Sequence, residues 1–521
     1  MEQDNSGQST SVWMATTAMP QQTALVEDTK ADVCVVGAGI AGMTTAYLLA
    51  RAGKSVVVLD DGPIAGGQTQ RTTAHLSNAL DDRYFEIERL HGTQGARLAA
   101  ESHTAAIDRI GSIVHDEKIA CDFERLDGYL FLPPGETEDL LDRELAAAHR
   151  AGLTAVERLP RAPLAPFDTG PCLRFPGQGQ FHPLKYLAGL ARAIERDGGR
   201  IFTGTHAESI EGGTPARVKT TAGPMVSADA VVVATNTPVN DRVAIHTKQA
   251  PYLTYVIGAL VPRGSVPKGL FWDTLDPYHY VRLQALPAEG GAHEQGGLPS
   301  YDVLIVGGED HKTGQADDQP ERYARLEAWA RERFPMMQEV RFRWSGQVME
   351  TIDGLAFIGP NPLDEPNVLI ATGDSGMGMT HGTIAGILLT DLILGRENAW
   401  ATLYDPSRKT LRAAGEFAKE NLNVVKQYGD WLTGGEVSSP EEIPTGTGAV
   451  VRRGLSKVAA YRDEQGALHE CSAVCPHLGC IVDWNDAEKT WDCPCHGSRF
   501  DRFGTVLNGP ANSDLSRVEK R

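Results

Sequence analysis

Five of the eight cysteines in this chain fall between Cys471 and Cys495, in "CSAVCPHLGCIVDWNDAEKTWDCPC", and one histidine lies inside that stretch with a second directly after it. The spacing limits what such a segment can become. Cys475-x-His477 and Cys493-x-x-His496 put one cysteine and one histidine on each of two short loops. Two metal chemistries use these residue types. Zinc sites of this kind usually open with Cys-x-x-Cys. A [2Fe–2S] cluster of mixed ligation takes two thiolates on one iron and two imidazoles on the other. The pattern matches the second. It leaves one further cysteine on each loop, Cys480 and Cys495, for which a zinc ribbon has no use.

The two boxes, "CPHLGC" (residues 475–480) and "CPCHGS" (residues 493–498), resemble the Rieske domain of cytochrome bc-type iron–sulfur proteins. The resemblance implies that Cys475 and Cys493 hold one iron and His477 and His496 the other. It implies a Cys480–Cys495 disulfide that ties the loops together. It also makes Ser498 a hydroxyl donor to a cluster sulfur, and "NGPA" (residues 508–511) the proline loop that covers the cluster. The family often carries Tyr where this chain has Phe500. One donor to the cluster is then lost, which places the potential below that of the respiratory proteins.

The rest of the chain is that of a larger globular protein. Its 521 residues suggest two to four domains, and 41% of them are hydrophobic and 22% charged. A net charge of −19 argues against nucleic acid and anionic membrane surfaces as partners. No run of about 18 apolar residues occurs, so no integral membrane segment is expected. The polar, acidic start "MEQDNSGQSTSVWMATT" lacks the basic end and apolar stretch of a secretory signal. The reading is cytoplasmic, where disulfides are rare, so a disulfide here would persist by burial beside the cluster. Cys34, Cys121 and Cys172 show no pairing pattern, and Cys471 reads as a small buried hydrophobe.

Residues 1–30 read as an irregular leader and residues 31–428 as mixed strands and helices. Residues 429–448, rich in Gly, Ser, Pro and acid, read as a linker. From Ala449 short β-like runs point to a small all-β domain over 449–521. "LPAEGGAHEQGGLPS" (residues 286–300) reads as a long polar hairpin loop.

"ADVCVVGAGIAGMTTAYLLARAGKSVVVLDD" reads as strand, glycine turn, helix, strand. Gly37 permits the tight turn, Gly39 lets a pyrophosphate approach the backbone, and Gly42 lets helix and strand pack closely. The helix N-terminus then faces the phosphates. Asp60, at the end of the next strand, is placed to accept hydrogen bonds from ribose hydroxyls. These features call for a dinucleotide and leave NAD and FAD open. No second fingerprint for NAD(P)H occurs in mid-chain. "PMVSADAVVVATNTP" looks like a strand ending at Ala234-Thr235, as in flavoproteins of the glutathione-reductase class.

"DGLAFIGPNPLDEPNVLIATGDSGMGMTHGTIAGILLTDLILG" (residues 353–395) reads as a strand, a glycine-rich turn and a helix whose N-terminus could stabilise negative charge. It resembles the C-terminal FAD motif of the D-amino-acid oxidase and glycine oxidase superfamily. That resemblance spans roughly residues 31–400, and with the C-terminal boxes the whole chain is similar to bacterial flavin–Rieske fusion oxidoreductases. It implies FAD rather than NAD. The fold implied is an α/β FAD-binding domain of glutathione-reductase-like type with an interleaved mixed-sheet substrate domain, plus the small all-β Rieske domain. Cofactor contacts implied are Gly37, Gly39, Ile40, Ala41, Gly42, Asp60, Thr73, Ala74, His75, Thr235, Gly373, Gly376, Met377, Gly378, Met379 and Thr380.

For the chemistry, "DPYHYVRLQ" (residues 276–284) alternates like a strand, with Tyr278, Tyr280 and Arg282 on one face. In amine oxidases of the superfamily an Arg and a Tyr clamp a substrate carboxylate through the guanidinium fork; the alternative for Arg282 is an ordinary ion-pairing arginine. His75 is expected to touch the flavin or carry a covalent link to it, the alternative being a packing histidine. His311 and Lys312 are further candidates for the cleft wall. Together these imply a dehydrogenase acting on an amine or amino acid. Hydride would pass to FAD, and single electrons would pass to a near-surface cluster and on to a soluble carrier. The alternatives are a reductive flavoenzyme fed through the cluster by an external reductase, and a redox sensor or electron-transfer protein. A Rieske oxygenase would also need two His and a carboxylate for a mononuclear iron, and no such trio stands out. Restoring the missing donor with Phe500→Tyr is expected to raise the cluster potential within the Rieske span of roughly −150 to +300 mV, read by redox titration followed by EPR.

Overall fold

The computed structural model describes residues 7–133, 135–240, 245–286 and 301–518. Val33 to Val36 are buried without alternation, as a central parallel strand requires. The strand Thr29–Val36 pairs in parallel with Val56–Leu59 on one side and Met225–Val233 on the other. Val368–Thr372 adds in parallel beside Met225–Val233, so the N-terminal fingerprint and the C-terminal motif end one strand apart in the same sheet.

Glycines bring the two motifs together. The helix Gly378–Ile393 lies across the helix Ile40–Arg51. A Cβ on Gly382 would stand 2.6 Å from Ile40 Cγ2, and one on Gly386 2.4 Å from Thr44 Cγ2. Two bare positions one turn apart let the helices meet backbone to side chain, which aims both N-termini at a common space.

A second, nine-stranded mixed sheet forms the other wall of that space. Its long strands Gln249–Pro262, Tyr301–Lys312 and Val340–Thr351 pair antiparallel, while Leu270–Asp273 runs parallel to Glu124–Phe131. Tyr280–Ala285 and Tyr301–Lys312 are antiparallel neighbours; the expected polar loop between them lies, beyond Leu286, outside the described residues. The C-terminal module consists of a three-stranded sheet, Thr447–Arg453 with Ser456–Arg462 and Leu468–Ser472, and a four-stranded one running from Asp483–Asn485 to Val506–Asn508. All of their pairs are antiparallel.

Two expectations need correction. The leader is not irregular throughout: Val12–Thr16 is a short helix, capped by Ser11, with Trp13 fully buried. Ser11 Oγ donates to the Gln70 carbonyl and Trp13 Nε1 to that of Thr72. The segment taken for a linker is partly folded onto the last domain, with Glu436 N–H donating to the Val450 carbonyl and Val437 bridging Val451. Short polar sequence hid both, because their order comes from what they lie on.

The leader, the large α/β part and the C-terminal module converge on Glu488. Its carboxylate accepts from Ser9 N–H and Oγ, from Ser345 Oγ and from the Arg71 guanidinium, and both Arg71 and Glu488 side chains are wholly buried. Arg71 also donates to the carbonyls of Gly7 and Ser345. Burial pushes the Glu488 pKa up. The Arg71 and Arg499 charges and the two hydroxyls outweigh it and hold the group below its usual range. Its contribution to stability is therefore full above the ordinary glutamate pKa and is lost as the pH falls below it. Arg71→Met leaves Glu488 buried without its counter-charge. The expected loss is about 3–5 kcal/mol, seen as an earlier first transition in urea denaturation followed by circular dichroism.

Candidate active site and iron–sulfur centre

Between the two sheets lies a cavity of about 300 Å³. Of the residues expected at the cofactor, Gly37, Gly39, Ile40, Ala41, Asp60, Thr73, His75, Thr235, Gly373, Gly376, Met377, Gly378 and Met379 line it. Gly42, Ala74 and Thr380 do not. A Cβ on Gly42 would stand 1.9 Å from the Gly37 carbonyl oxygen, so this position closes the turn from behind. At Gly37, φ is +107° and a Cβ would stand 2.4 Å from the Ala234 carbonyl oxygen. The bare backbone on the cavity side is the cradle that a pyrophosphate needs. Asp60 accepts from the N–H groups of Ala38, at 2.6 Å, and Gly62, at 2.8 Å. It braces the turn as well as facing the cavity. Burial and the neighbouring Asp61 raise its pKa to about 8.

The sheet side carries the polar groups. Asp310 and Glu350 reach the cavity from two long strands, Asp81 from the loop beyond His75, and Asp374 from the glycine-rich turn. Burial is the main reason that all four carboxyls have raised pKa values: Asp310 to about 7, Asp374 to about 6, Asp81 upward, and Glu350 well upward with the neighbouring acids adding. Tyr278 donates to Asp81 at 2.9 Å, and Tyr280 shares a 2.7 Å hydrogen bond with Thr254. The rings of Tyr278 and Tyr280 lie 5.5 Å apart. Tyr280 fits because Gly307 faces it, where a Cβ would stand 2.2 Å from the ring.

His75 lies at the wall, with Nδ1 3.1 Å from Thr73 Oγ1 and its ring edge-on to Tyr280. Burial and the nearby Arg282 charge lower its pKa to about 3, so it is neutral at physiological pH, and Nε2 has no partner among the described residues. Arg282 does not share the place of Tyr280. Its guanidinium is buried behind the wall and donates to the carbonyls of Thr73, Ala74 and Phe181 and to Gln284 Oε1. Strand alternation put Tyr280 and Arg282 on one face correctly. It could not show that the carbonyls of the Thr73–Ala74 turn would take up the arginine. The expected carboxylate clamp is therefore corrected to a brace under the cofactor-side turn. His311 and Lys312 also fall outside the cavity: His311 pairs with Tyr255, and Lys312 with Glu420.

Sequence reading missed a buried histidine pair. His381 Nδ1 lies 2.9 Å from the Asp374 carbonyl, an acceptor only, so Nδ1 carries the proton and Nε2 accepts. His103 Nε2 lies 3.2 Å from it, and His103 Nδ1 lies 2.9 Å from Thr380 Oγ1. Burial lowers both pKa values, that of His381 to about 4, so both rings are neutral. "THG" before an apolar helix was the available signal for His381; nothing local marks His103.

In the C-terminal module the two boxes face each other. The Cys480–Cys495 disulfide is formed, and both cysteines are buried. With these two sulfurs joined, the close group Cys480, Cys493 and Cys495 has one thiol left to offer, which removes the zinc alternative at that group. The rings of His477 and His496 lie 5.0 Å apart, and the thiols of Cys475 and Cys493 lie within hydrogen-bond reach. That neighbouring thiol, the N–H groups of His477 and Leu478 and the Ser498 hydroxyl favour thiolate at Cys475 over its burial. Two cysteines and two histidines on two pinned loops fit a mixed-ligand [2Fe–2S] cluster. Ala511 N–H donates to Ser498 Oγ at 2.9 Å. Phe500 is fully buried and has no hydroxyl to give.

The module turns this centre inward. The His246 ring packs edge-on to His477 and His496, at 4.8 and 5.9 Å. His496 is 6% exposed, while Leu478 on the other box is 36% exposed. Residues 506–509, 511 and 512 complete the cavity wall at the end near Asp60. If Arg282 is a brace, Arg282→Met leaves three buried carbonyls unpaired at about 1–3 kcal/mol each at most. The expected result is weaker FAD retention on dialysis and a lower melting temperature, with KM for substrate unchanged in the FAD-saturated protein.

Comparison with known proteins agrees with this geometry. A family model for FAD dependent oxidoreductases, DAO, matches residues 32–392, and one for the Rieske [2Fe-2S] domain matches residues 435–519. A Bacillus subtilis (strain 168) protein described as a Rieske 2Fe-2S iron-sulfur protein, YhfW, is 32% identical over 97% of both chains. Gamma-glutamylputrescine oxidoreductase of Escherichia coli (strain K12) is 29% identical over 74% of this chain and 91% of that protein. The fold of glycine oxidase from Geobacillus kaustophilus superposes with a TM-score of 0.59 at 19% identity, over 73% of this chain and 99% of that one. The cradle, the two-box centre and these matches have one reading: the chain is an oxidoreductase of the DAO family of FAD-dependent enzymes, joined to a C-terminal Rieske domain, with FAD and a [2Fe–2S] cluster as its cofactors.

Proposed function

We propose that the protein dehydrogenates a cationic amine at a C–N bond and passes the electrons through its own Rieske domain to an external one-electron carrier. The observation that carries this is the sheet-side wall: Asp81, Asp310, Glu350 and Asp374 face the cavity, and Arg71, the cavity-lining arginine, is already engaged by Glu488. A free amino acid needs a cation for its carboxylate. Four carboxyls and two tyrosine rings instead suit an ammonium group. Gamma-glutamylputrescine oxidoreductase, by its name, also acts on an amine derivative.

Bound FAD supplies the two-electron acceptor and the cluster a one-electron one. The chain supplies placement. Asp310 and Glu350 hold the ammonium from the sheet, and the Tyr278 and Tyr280 rings orient the carbon chain. Neutral His75 adds no repelling charge at the wall. The Rieske residues 506–512 help to close the cavity against water.

The pH dependence follows from the raised carboxyl pKa values. A raised acid favours the folded state below its unfolded pKa and loses that advantage as pH rises through its folded value. Without a cationic guest the folded state thus loses stability between the usual carboxylate range and about 7 for Asp310. A bound diamine offsets the emerging charge. Its stabilisation of the protein against heat is expected to grow from about pH 6 to about pH 8.

Anaerobic titration with short diamines, monoamines and neutral amino acids tests the reading. Expected is bleaching of the flavin bands by a diamine, then of the cluster bands. Glu350→Gln and Asp310→Asn should each raise KM by about 1.5–3 kcal/mol of lost binding with FAD content unchanged. Bleaching by amino acids alone would overturn the substrate assignment. Reduction only through an added ferredoxin and its reductase would overturn the direction of flow.

A further inference from the structure

We propose that Gln347 is a positioning residue that fixes the cluster loop against the wall of the FAD cavity, so that the Rieske domain takes electrons in the docked orientation seen here. The inference rests on the family assignment and on electron flow from flavin to cluster, but not on which substrate reduces the flavin.

Gln347 is 2% exposed and belongs to both sites. With Gly346 and Val348 it forms part of the cavity wall. Its side-chain Nε2 donates to the carbonyl of Gly497 at 2.8 Å, in a fully buried hydrogen bond. Gly497 directly follows the ligand His496. Gln347 thus borders the cavity on its strand while its side chain reaches the peptide next to the candidate ligand His496. Its backbone N–H donates to Gln68 Oε1 at 2.7 Å, and Gln68 Nε2 donates in turn to Asn508 Oδ1 at 3.1 Å. Asn508 begins the loop whose Ala511 binds Ser498. Two glutamines in contact therefore hold both the second ligand box and the loop that packs on it.

The fit around this point is tight and specific. Gly497 has φ +81°, and a Cβ there would stand 2.5 Å from Pro251 Cβ and 2.7 Å from Gln347 Nε2. At Gly314 a Cβ would stand 2.8 Å from the Asp492 carbonyl oxygen and 2.9 Å from the Pro494 nitrogen, and Gln315 Nε2 donates to the Pro494 carbonyl at 3.0 Å. Such a close approach, with the ring of His246 against both ligand imidazoles, is what a fixed electron-transfer contact needs and a freely swinging domain does not. Each transfer moves one electron and takes one ferric iron to ferrous. No bond is made or broken along Gln347. The external carrier reoxidises the cluster between the two transfers that return the reduced flavin to its oxidised form, and the protons released leave from the cavity.

The test uses Gln347→Met in the holoenzyme, with Gln347→Leu as a second variant that also cannot donate to Gly497. The flavin is reduced by light in the presence of EDTA, so no amine is required and failure of the substrate assignment cannot affect the result. Flavin bleaching and freeze-quenched cluster EPR are followed together, the EPR spectrum and midpoint potential are measured after direct reduction with dithionite, and amide hydrogen exchange of residues 493–500 is compared with wild type. Expected are unchanged flavin photoreduction, an unchanged EPR spectrum and potential, faster exchange in residues 493–500, and a several-fold slower appearance of the reduced cluster. A cluster that fills at the wild-type rate in the folded variants overturns the proposal. So does slowing accompanied by a shifted potential, which would make Gln347 a tuner of the cluster rather than its positioner. If Gln347→Met does not fold, Gln347→Leu is read by the same criteria.

Discussion

The buried pair Arg71–Glu488 is the contact on which the arrangement of the two modules depends. A wholly buried carboxylate is costly unless it is paired and hydrogen-bonded. Glu488 meets that condition only with all three parts of the chain in place: Ser9 from the leader, Arg71 and Ser345 from the oxidoreductase domain, and its own turn in the Rieske domain. The same helical turn that supplies Arg71 supplies Gln68 and Thr69 to the cavity. The docking of the iron–sulfur module and the shape of the flavin site are thus set by one short segment.

That coupling changes what the Rieske domain is for. Its imidazole side faces His246 and the oxidoreductase domain, while the first box, through Leu478, reaches the surface. The imidazoles of this centre thus lie against the oxidoreductase domain, and its first box lies at the surface. The cavity shows the same division. Its nucleotide end is closed partly by residues 506–509, 511 and 512, and its sheet end is lined with carboxyl groups whose pKa values burial raises. A two-electron and a one-electron cofactor belong to different domains, but the cavity wall is built by both.

Much of this was legible because some chemistry tolerates few patterns. Glycines at 37, 39 and 42 after an apolar strand, and Cys-x-His with Cys-x-Cys-His, are dictated by the close approach of a pyrophosphate and by the ligands of a cluster. Tyr280 at the cavity followed from strand alternation. Arg282 followed it onto the same face and yet serves as a brace, because alternation gives a direction but not the partner waiting there. The leader looked irregular since its order comes from Trp13 and Ser11 lying on the Gln68–Arg71 turn. Asp310, Glu350 and His103 carried no readable local signal: each is an ordinary residue placed by what faces it across the fold.

The sequence by itself determined the cofactors and the two modules, since phosphate approach and metal ligation are satisfied by residues a few positions apart. Only the tertiary structure decided how the modules face one another, which charges line the cavity and which residue joins its wall to the cluster loop. Those depend on contacts between segments far apart in the chain, such as Arg71 with Glu488, 417 residues apart, and Gln347 with Gly497, 150 apart. Their geometry comes from the packing of whole sheets, and no local spacing encodes it.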